Sequence, residues 1–331
     1  MKRVLSFILL FTTLIGSSTV YGSDINVEEK SRTVIQHIKK LNKSTKWKLA
    51  NSIMLNFRTY HPQGMVKIGK YFYLSSVEMI VEPEKFEIPQ NGYDRTPGKG
   101  VGHFFKFNQE GNLISQITIG EGIIYHPGGI DYDGKYIWAP VAEYRPNSRS
   151  IIYRLDPDTL EAVMVFRFND HIGGIVHNTE SHTLHGVSWG SRRFYTWKLD
   201  QWVGSLDLGE APEYEVPEYE MKLNGNHYID YQDCHYLAGQ YMLCSGLNQY
   251  DIPKMGKIAF GGLDLIDLHL EVAIHQVPVI TWVKPDLVMS SNPFYCEIHE
   301  NRMRFYFIPE DDKSTLYVFD AMNVKRINTQ N

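Results

Sequence analysis

The sequence has 331 residues, with 33 basic and 38 acidic side chains and a formal net charge of −5. A balance of this kind, without a basic stripe, argues against nucleic acid or an anionic membrane surface as the partner. The chain contains 21 Tyr, 16 Phe and 26 Gly residues. This mixture favours many short strands joined by tight turns.

The N-terminus predicts a targeting segment. Lys2 and Arg3 precede an apolar run over residues 4–15, and small residues follow up to Gly22. This order is typical of a secretory signal peptide, so we expect residues 1–22 to be removed and the protein to be secreted or periplasmic. The alternative is a buried N-terminal helix. The apolar run is shorter than the roughly 20 residues of a transmembrane helix, and the mature chain is expected to carry no transmembrane anchor.

Residues 23–45 predict a short surface helix ahead of the main domain. Val34, Ile35, Ile38 and Leu41 recur at helical spacing and would form its apolar side.

An internal repeat dominates the rest of the chain. The segment HPQGMVKIGKYFYLSS begins at His61, and HPGGIDYDGKYIWAPV begins at His126. Both have Gly-Lys eight residues after the histidine, at Gly69 and Gly134, followed by an aromatic run. This pattern predicts a strand, a tight turn and a second strand.

Weaker copies of this hairpin begin at His171, Tyr231 and Asn292. A second kind of hairpin alternates with the first, in which an apolar strand ends in Asp or Asn before a turn. Its five turns lie at Asn108, Asp156, Asp200, Asp267 and Asp320.

Two hairpins make a four-stranded unit of the size of a propeller blade. The sequence therefore predicts an all-β fold, a single β-propeller domain over residues 46–331 with five blades. A six-bladed ring would need a unit hidden in residues 79–102 or 210–226, and a sandwich would not explain the repeated turn chemistry. The last unit lacks a strand, so we expect residues 47–57 to supply the outer strand of the fifth blade. Gly129 is expected to lie close to the channel or to have positive φ.

The repeats resemble a known family. FRTYHPQGMVKIGKYFYLSSVE, IYHPGGIDYDGKYIWAPVAEYRPNSRSIIYRLDP and FNDHIGGIVHN are similar to an uncharacterised family of exported bacterial propellers that carries only a domain-of-unknown-function label. The resemblance covers essentially the whole mature chain and implies no activity. The architecture is more distantly similar to the gluconolactonase-like and strictosidine-synthase-like propellers, which hold a metal over the central channel, but their acidic ligands are not recognisable here.

Propeller geometry predicts which residues share a face. The residue that opens a repeat and the residue about 17 positions later should be neighbours on one face, called the top here. The top mouth of the channel is thus expected to collect His61, His126, His171, His227, Tyr231, Glu78, Glu143, Asn248 and Glu310.

Imidazole and carboxylate together either bind a metal or perform acid–base chemistry near neutral pH. One divalent metal ion in the channel would have four histidines as candidate ligands, namely His61, His126, His171 and His227. The candidate catalytic residues are His126, Glu143, His61 and Glu78. The competing interpretation is turn chemistry, with each imidazole capping a backbone carbonyl.

Three further residues are candidates for ligand contacts. Arg145 and Arg149 lie on the loop after Glu143 and could hold a carboxylate or phosphate, or the loop could simply be solvated. Trp189 could stack on a sugar ring or pack between blades.

Cys234, Cys244 and Cys296 are too few for a disulfide scaffold. Export permits one bridge, but the spacing does not identify the pair.

These patterns predict an exported protein that binds a small polar molecule, glycan or peptide at the top mouth. The alternative is a metal-assisted hydrolase, of the lactonase or esterase kind, or a lyase that uses the His/Glu cluster. The chain has no GxSxG, Walker or HExxH motif, and whether it is an enzyme stays open.

Overall fold

The computed structural model describes residues 32–199 and 215–322. Within these residues the chain forms five antiparallel sheets arranged as the blades of a propeller. The all-β fold and the five blades are confirmed, and the six-bladed alternative is not. The predicted signal peptide, residues 1–22, and the first part of the helical segment lie outside the described residues. No helix among the described residues has the length and apolar character needed to cross a bilayer.

The first blade follows an N-terminal strand, β1 (Lys46–Met54). It consists of β2 (His61–Ile68), β3 (Tyr71–Val81), β6 (Lys99–Asn108) and β7 (Leu113–Ile119). A small hairpin is inserted between β3 and β6 and consists of β4 (Lys85–Gln90) and β5 (Tyr93–Arg95).

The second and third blades have the same order from axis to periphery. In the second, the innermost strand is broken into two pieces, and the strands are β8 (His126–Pro127), β9 (Asp131–Tyr132), β10 (Ile137–Ala142), β11 (Ser150–Leu155) and β12 (Ala162–Phe168). The third contains β13 (Ile172–Asn178), β14 (Thr183–Ser188), β15 (Arg193–Lys198) and β16 (Tyr219–Leu223). A 3₁₀ turn at Trp189–Ser191 joins β14 to β15.

The fourth blade contains β17 (Asp230–Ala238), β18 (Tyr241–Ile252), β19 (Gly256–Asp267) and β20 (Val272–Val279). After it come a short hairpin, β21 (Trp282–Lys284) and β22 (Leu287–Val288), and a 3₁₀ turn at Met289–Ser291. The fifth blade contains β23 (Phe294–His299), β24 (Arg302–Phe307) and β25 (Thr315–Met322).

The N-terminal strand closes the ring, as the sequence predicts. β1 pairs antiparallel with β25, from Lys46 opposite Met322 to Met54 opposite Thr315. Trp47 packs edge-on against Phe305, with ring centroids 5.1 Å apart. This pairing covers the edge that the fifth blade would otherwise expose.

The described part of the helix before β1 covers residues 32–38. Its buried side chains are Ile35 and Ile38, and Leu41 follows them into the same apolar cluster between the fourth and fifth blades. Four further clusters lie between the other adjacent blades, so the core is a series of apolar layers around the ring.

Glycines let the innermost strands meet at the axis. A Cβ atom on Gly128 would lie 2.3 Å from the Gly173 carbonyl oxygen, and one on Gly129 would lie 2.7 Å from Asp233 Oδ1. The Gly129 N–H donates to the same Gly173 carbonyl at 2.8 Å. The expectation for Gly129 is confirmed by close approach and not by positive φ. Backbone atoms of the innermost strands therefore lie at the axis and close the channel below the top mouth.

The structure also identifies the disulfide that the sequence left open. Cys234 on β17 and Cys244 on β18 are direct cross-strand partners and are bonded to each other, whereas Cys296 is a buried free thiol.

Candidate functional site

The strand register places the predicted rim residues at the top. His61 pairs with Val77, directly before Glu78, and His126 pairs with Ala142, directly before Glu143. Each repeat therefore starts and returns on the same face, because its two strands form one hairpin.

An axial cavity of about 220 Å³ opens at this face, at the centre of the ring. It is lined by His61, Gln63, His126, Tyr144, His171, Gly173, Ser188, Trp189, Gly190, Asp230, Tyr231 and Gln232. Five of the predicted site residues thus meet in one place, contributed by four different blades.

Two larger cavities adjoin it. An acidic cavity of about 340 Å³ is lined by Arg58, Tyr60, His61, Val77, Glu78, Met79, Glu82, Tyr144, Asp311 and Asp312. A lateral cavity of about 470 Å³ includes His61, Asp230, Asn248, Asp286, Asn292 and Asp311 among its lining residues. His61 lines all three, so the cavities are neighbours at the top face, and the three together are called the mouth here.

His126 is the buried polar group at the centre of this mouth. Only 5% of the residue is exposed, and neither of its ring nitrogens has a hydrogen-bond partner among the described residues. Its ring is stacked on Tyr144 with centroids 4.3 Å apart. Burial, together with the nearby His171 and His61, lowers the pKa of His126 well below its usual value. The imidazole is therefore neutral at physiological pH, with one donor and one acceptor nitrogen.

His171 is oriented by the backbone of the second blade. Its Nδ1–H donates to the Glu143 carbonyl oxygen at 2.8 Å, and its ring meets Trp189 edge-on at 4.8 Å. Burial lowers the pKa of His171 to about 4. In the neutral ring held this way, Nε2 carries the lone pair.

The Glu143 carboxylate lies in a different place from the one the sequence predicts. It is fully buried and accepts hydrogen bonds from Arg145 Nε and Arg149 Nε, each at 2.7 Å. Both arginines are thereby engaged internally, and the Arg145 guanidinium also lies 3.5 Å from the centre of the Tyr93 ring. Glu143 anchors a loop, and it does not contact His126 through its side chain.

The remaining predicted residues also have internal partners. His227 is exposed and lies against Arg192, and its carbonyl oxygen accepts from Asn248 Nδ2 at 2.8 Å. Glu310 accepts from the Thr315 N–H at 2.8 Å and holds the loop before β25. Neither His227 nor Glu310 lines the three cavities.

The four histidines do not form a metal cluster. His61 donates to Asp311 at 2.8 Å, His171 is bonded to a carbonyl, and His227 lies outside the axial cavity. Over residues 32–199 and 215–322, no group of three or more His, Cys, Asp or Glu side chains has an arrangement that could hold a metal ion. The described residues therefore give the metal expectation no support, because His61, His171 and His227 have different partners and His126 has none.

The inserted hairpin β4–β5 extends the mouth above the second and third blades. Its Tyr93 packs on Arg145, and its Arg95 lies over the Trp189 ring at 4.9 Å. Sequence reasoning considered residues 79–102 only as a place where a sixth blade could be hidden. Their functional placement depends on contacts with other blades.

Asp233 is an axial residue that the sequence analysis did not single out. Its carboxylate is fully buried and accepts backbone N–H groups of Met65 at 2.9 Å, Ile130 at 3.1 Å and Phe294 at 3.3 Å. These donors belong to three other blades. The repeat itself carried the signal, since Asp233 takes the third position that is Gln63 or a glycine in the first three copies.

Asp233 belongs to a buried ionisable network. His235 lies 3.3 Å from Asp131 and 3.7 Å from Asp233. Burial raises the pKa of Asp233 to about 7 and also raises that of Asp131. For His235 burial alone would lower the pKa, but the Asp233 and Asp131 carboxyls raise it. These residues line none of the three cavities, so the network fastens the blades at the axis.

Comparison with known proteins identifies the family. Residues 27–325 match a family of unknown function, DUF6454. The chain belongs to this family. No curated protein is detectably similar in sequence to this member.

Solved structures resemble this DUF6454 protein at low identity. An exo-1,5-alpha-L-arabinanase from a bovine ruminal metagenomic library has 11% identity and a TM-score of 0.48, with 82% of this chain and 96% of that chain covered. A luciferin-regenerating enzyme has 10% identity, a TM-score of 0.44 and coverages of 83% and 96%. Hydrazine synthase of Kuenenia stuttgartiensis has 10% identity and a TM-score of 0.37. There 78% of this chain aligns, and the chain spans 58% of that protein's length. Similarity of this degree carries no information about activity.

Proposed function

We propose that this protein is an exported binding protein that takes a small polar molecule into the axial cavity at the top of the propeller. His126 is the observation that carries this proposal. Two buried ring nitrogens without partners cost about 1–3 kcal/mol each relative to satisfied groups. Both nitrogens are closed to solvent in this structure, so a ligand must displace a neighbouring side chain such as Tyr144 to reach them. The hydrogen bonds that it then forms offset this cost.

The cavity indicates what such a molecule must offer. Neutral His126 presents one N–H donor and one acceptor nitrogen, which matches hydroxyl, amine or amide groups. Tyr144 and Trp189 supply flat aromatic walls, while the Asp230 carboxylate and the Gln63 and Gln232 amides supply polar ones. A small set of polar groups among aromatic walls is typical of pockets for small molecules.

Binding is better supported than acid–base catalysis. A general base works best when its pKa lies near the operating pH. The pKa of His171 is lowered to about 4 and that of His126 lies well below its usual value, so both are weak bases. Such imidazoles form hydrogen bonds well but abstract protons poorly. Hydrolase or lyase chemistry at this mouth would need a stronger base from another group.

Export is supported by two features. The N-terminal sequence has the order of a signal peptide, and Cys234 and Cys244 form a disulfide, which is rare in reducing compartments.

The test is a thermal-shift screen of the purified protein against small sugars, amines, amino acids and organic acids. His126→Phe retains a ring that can stack on Tyr144 but has no nitrogen, and His269→Phe is the control at an exposed position. Compounds that stabilise the wild type and the control should fail to stabilise His126→Phe. The proposal is wrong if no compound stabilises the protein, or if stabilisation persists unchanged in His126→Phe.

A further inference from the structure

The mouth around the axial cavity is strongly acidic. Among the described residues, one guanidinium, that of Arg58, lines the three cavities. Six carboxyl groups line them, those of Glu78, Glu82, Asp230, Asp286, Asp311 and Asp312. Clefts lined by one sign of charge concentrate ligands of the opposite sign.

Internal ion pairs account for only part of this charge. Arg58 pairs with Asp312 at 2.6 Å, and Arg192 pairs with Asp230 at 2.7 Å. Lys284 lies 3.6 Å from Asp286, with both side chains largely exposed.

The excess negative charge lies in the acidic cavity. The Glu78 carboxylate contacts the His103 imidazole at 3.2 Å and the Tyr60 phenol, and Asp311 has imidazole and amide partners. Glu82 has no hydrogen-bond or ion-pair partner among the described residues and is exposed to solvent. Three acidic groups on one cavity therefore lack a Lys or Arg partner.

The negative charge of the acidic cavity also affects the pKa values of two tyrosines that line it. Burial raises the pKa of the Tyr60 phenol, and Glu78 raises it further. Burial likewise raises the pKa of Tyr144, with Glu82 as the next cause. Burial is the larger cause at both phenols, and the carboxylates of Glu78 and Glu82 add a negative potential at this wall.

We propose that the acidic cavity is a subsite for an ammonium or guanidinium group, so that the molecule bound at the mouth is an organic cation. This rests on the proposed function, since the polar body of the same molecule would satisfy His126. Tyr144 connects the two sites, because it stacks on His126 and lines both the axial and the acidic cavities. A metal ion fits less well, because the described residues offer no group of three donors arranged to hold one.

The experiment compares molecules that differ in charge and little else. Glucosamine, glucose and glucuronate form one set, and putrescine and butanediol form a second. Each is titrated calorimetrically into the purified protein at low salt and at a mildly acidic pH that keeps the amines protonated. We expect glucosamine and putrescine to bind, and their neutral or anionic counterparts to bind at least tenfold more weakly.

Matched variants locate the cationic group. Glu82→Gln removes one unpaired charge from the cavity, and Glu84→Gln removes the same charge from an exposed position that lines none of the three cavities. Glu82→Gln should weaken amine binding roughly three- to tenfold at low salt, a difference that shrinks as salt screens the interaction. Glu84→Gln should leave binding within twofold of the wild type.

The outcomes separate this inference from the proposed function. If glucose or butanediol binds as tightly as its amine, and binding is lost in His126→Phe, the axial site stands and the cationic subsite is wrong. If no amine binds, or if Glu82→Gln and Glu84→Gln behave alike, the subsite is also wrong. Displacement of a bound amine by an equal concentration of calcium ions would instead indicate a metal site and overturn the organic cation.

Discussion

The sharpest prediction concerns Asp233, the residue that joins four blades at the axis. The Asp233→Ala substitution removes the acceptor for three backbone N–H groups of other blades, those of Met65, Ile130 and Phe294. Each donor belongs to a different blade, and the alanine side chain offers nothing in return. The variant therefore tests whether one carboxyl group holds the innermost strands together.

The magnitude follows from the number of donors. A buried donor left without its partner costs about 1–3 kcal/mol, so three cost roughly 3–9 kcal/mol before any water enters. The whole free energy of unfolding of a typical domain is only about 5–15 kcal/mol. Asp233→Ala should thus remove a large part of the stability. Asp251→Ala, an exposed position on β18, should change the stability by about 0.5 kcal/mol or less.

The pH dependence gives a second check with a definite sign. The pKa of the Asp233 carboxyl is raised from 3.8 to about 7 in the folded state, so folding favours its protonated form. The contribution of the Asp233 carboxyl to the free energy of unfolding is fully present below about pH 4 and is lost as the pH rises through about 7. The pKa of His235 is also raised, so its contribution is likewise lost as the pH rises through its folded-state pKa. The side chain in Asp233→Asn cannot titrate. The difference in free energy of unfolding between the wild type and Asp233→Asn should therefore become smaller from pH 4 to pH 8.

The assay is urea unfolding followed by tryptophan fluorescence at several pH values, with the disulfide intact. The linear extrapolation gives the free energy of unfolding for wild type, Asp233→Ala, Asp233→Asn and Asp251→Ala. An Asp233→Ala protein within 0.5 kcal/mol of the wild type would refute the axial role. A stability gap that widens with rising pH would refute the assigned titration.

Two further predictions test the ring itself. Gly129→Val should lower the melting temperature much more than Gln63→Val, because a Cβ at position 129 would lie 2.7 Å from Asp233 Oδ1, and equal melting temperatures would contradict the close approach. Deleting residues 24–58 removes strand β1 and buried side chains such as Ile38, each worth roughly 1.5–3 kcal/mol of burial. A shortened protein that melts like the mature one would show that the N-terminal strand is dispensable.

The architecture was largely predictable, because the repeat carries it. Hairpins that begin at His61 and His126 have a recurring turn, and each turn is a local event governed by a few neighbouring residues. The missing strand of the last unit predicted the closure by β1, since an uncovered sheet edge is unfavourable. The burial of the closing strand was less predictable, since Leu49 on β1 is half-exposed while Trp47 packs on Phe305.

The candidate site was predictable only as a location. Strand direction alone placed His61, His126 and His171 at the top mouth. It could not decide that Glu143 would bind two arginines while its carbonyl oriented His171, because those partners depend on loop conformation. A metal cluster and a catalytic pair were reasonable expectations from residue types, but geometry distributes the same residues differently.

The sequence by itself determined that the fold is built of blades, favoured five of them over six, and indicated their closure and the face on which polar residues collect. These follow from a local period repeated along the chain, which needs no knowledge of distant contacts. Only the tertiary structure decided which side chains meet. The unpartnered His126, the acidic cavity and the axial Asp233 each depend on groups from several blades, separated by tens to hundreds of residues in the chain. Burial between those blades lowers the pKa of His126 and raises that of Asp233, and burial is a property of the assembled ring.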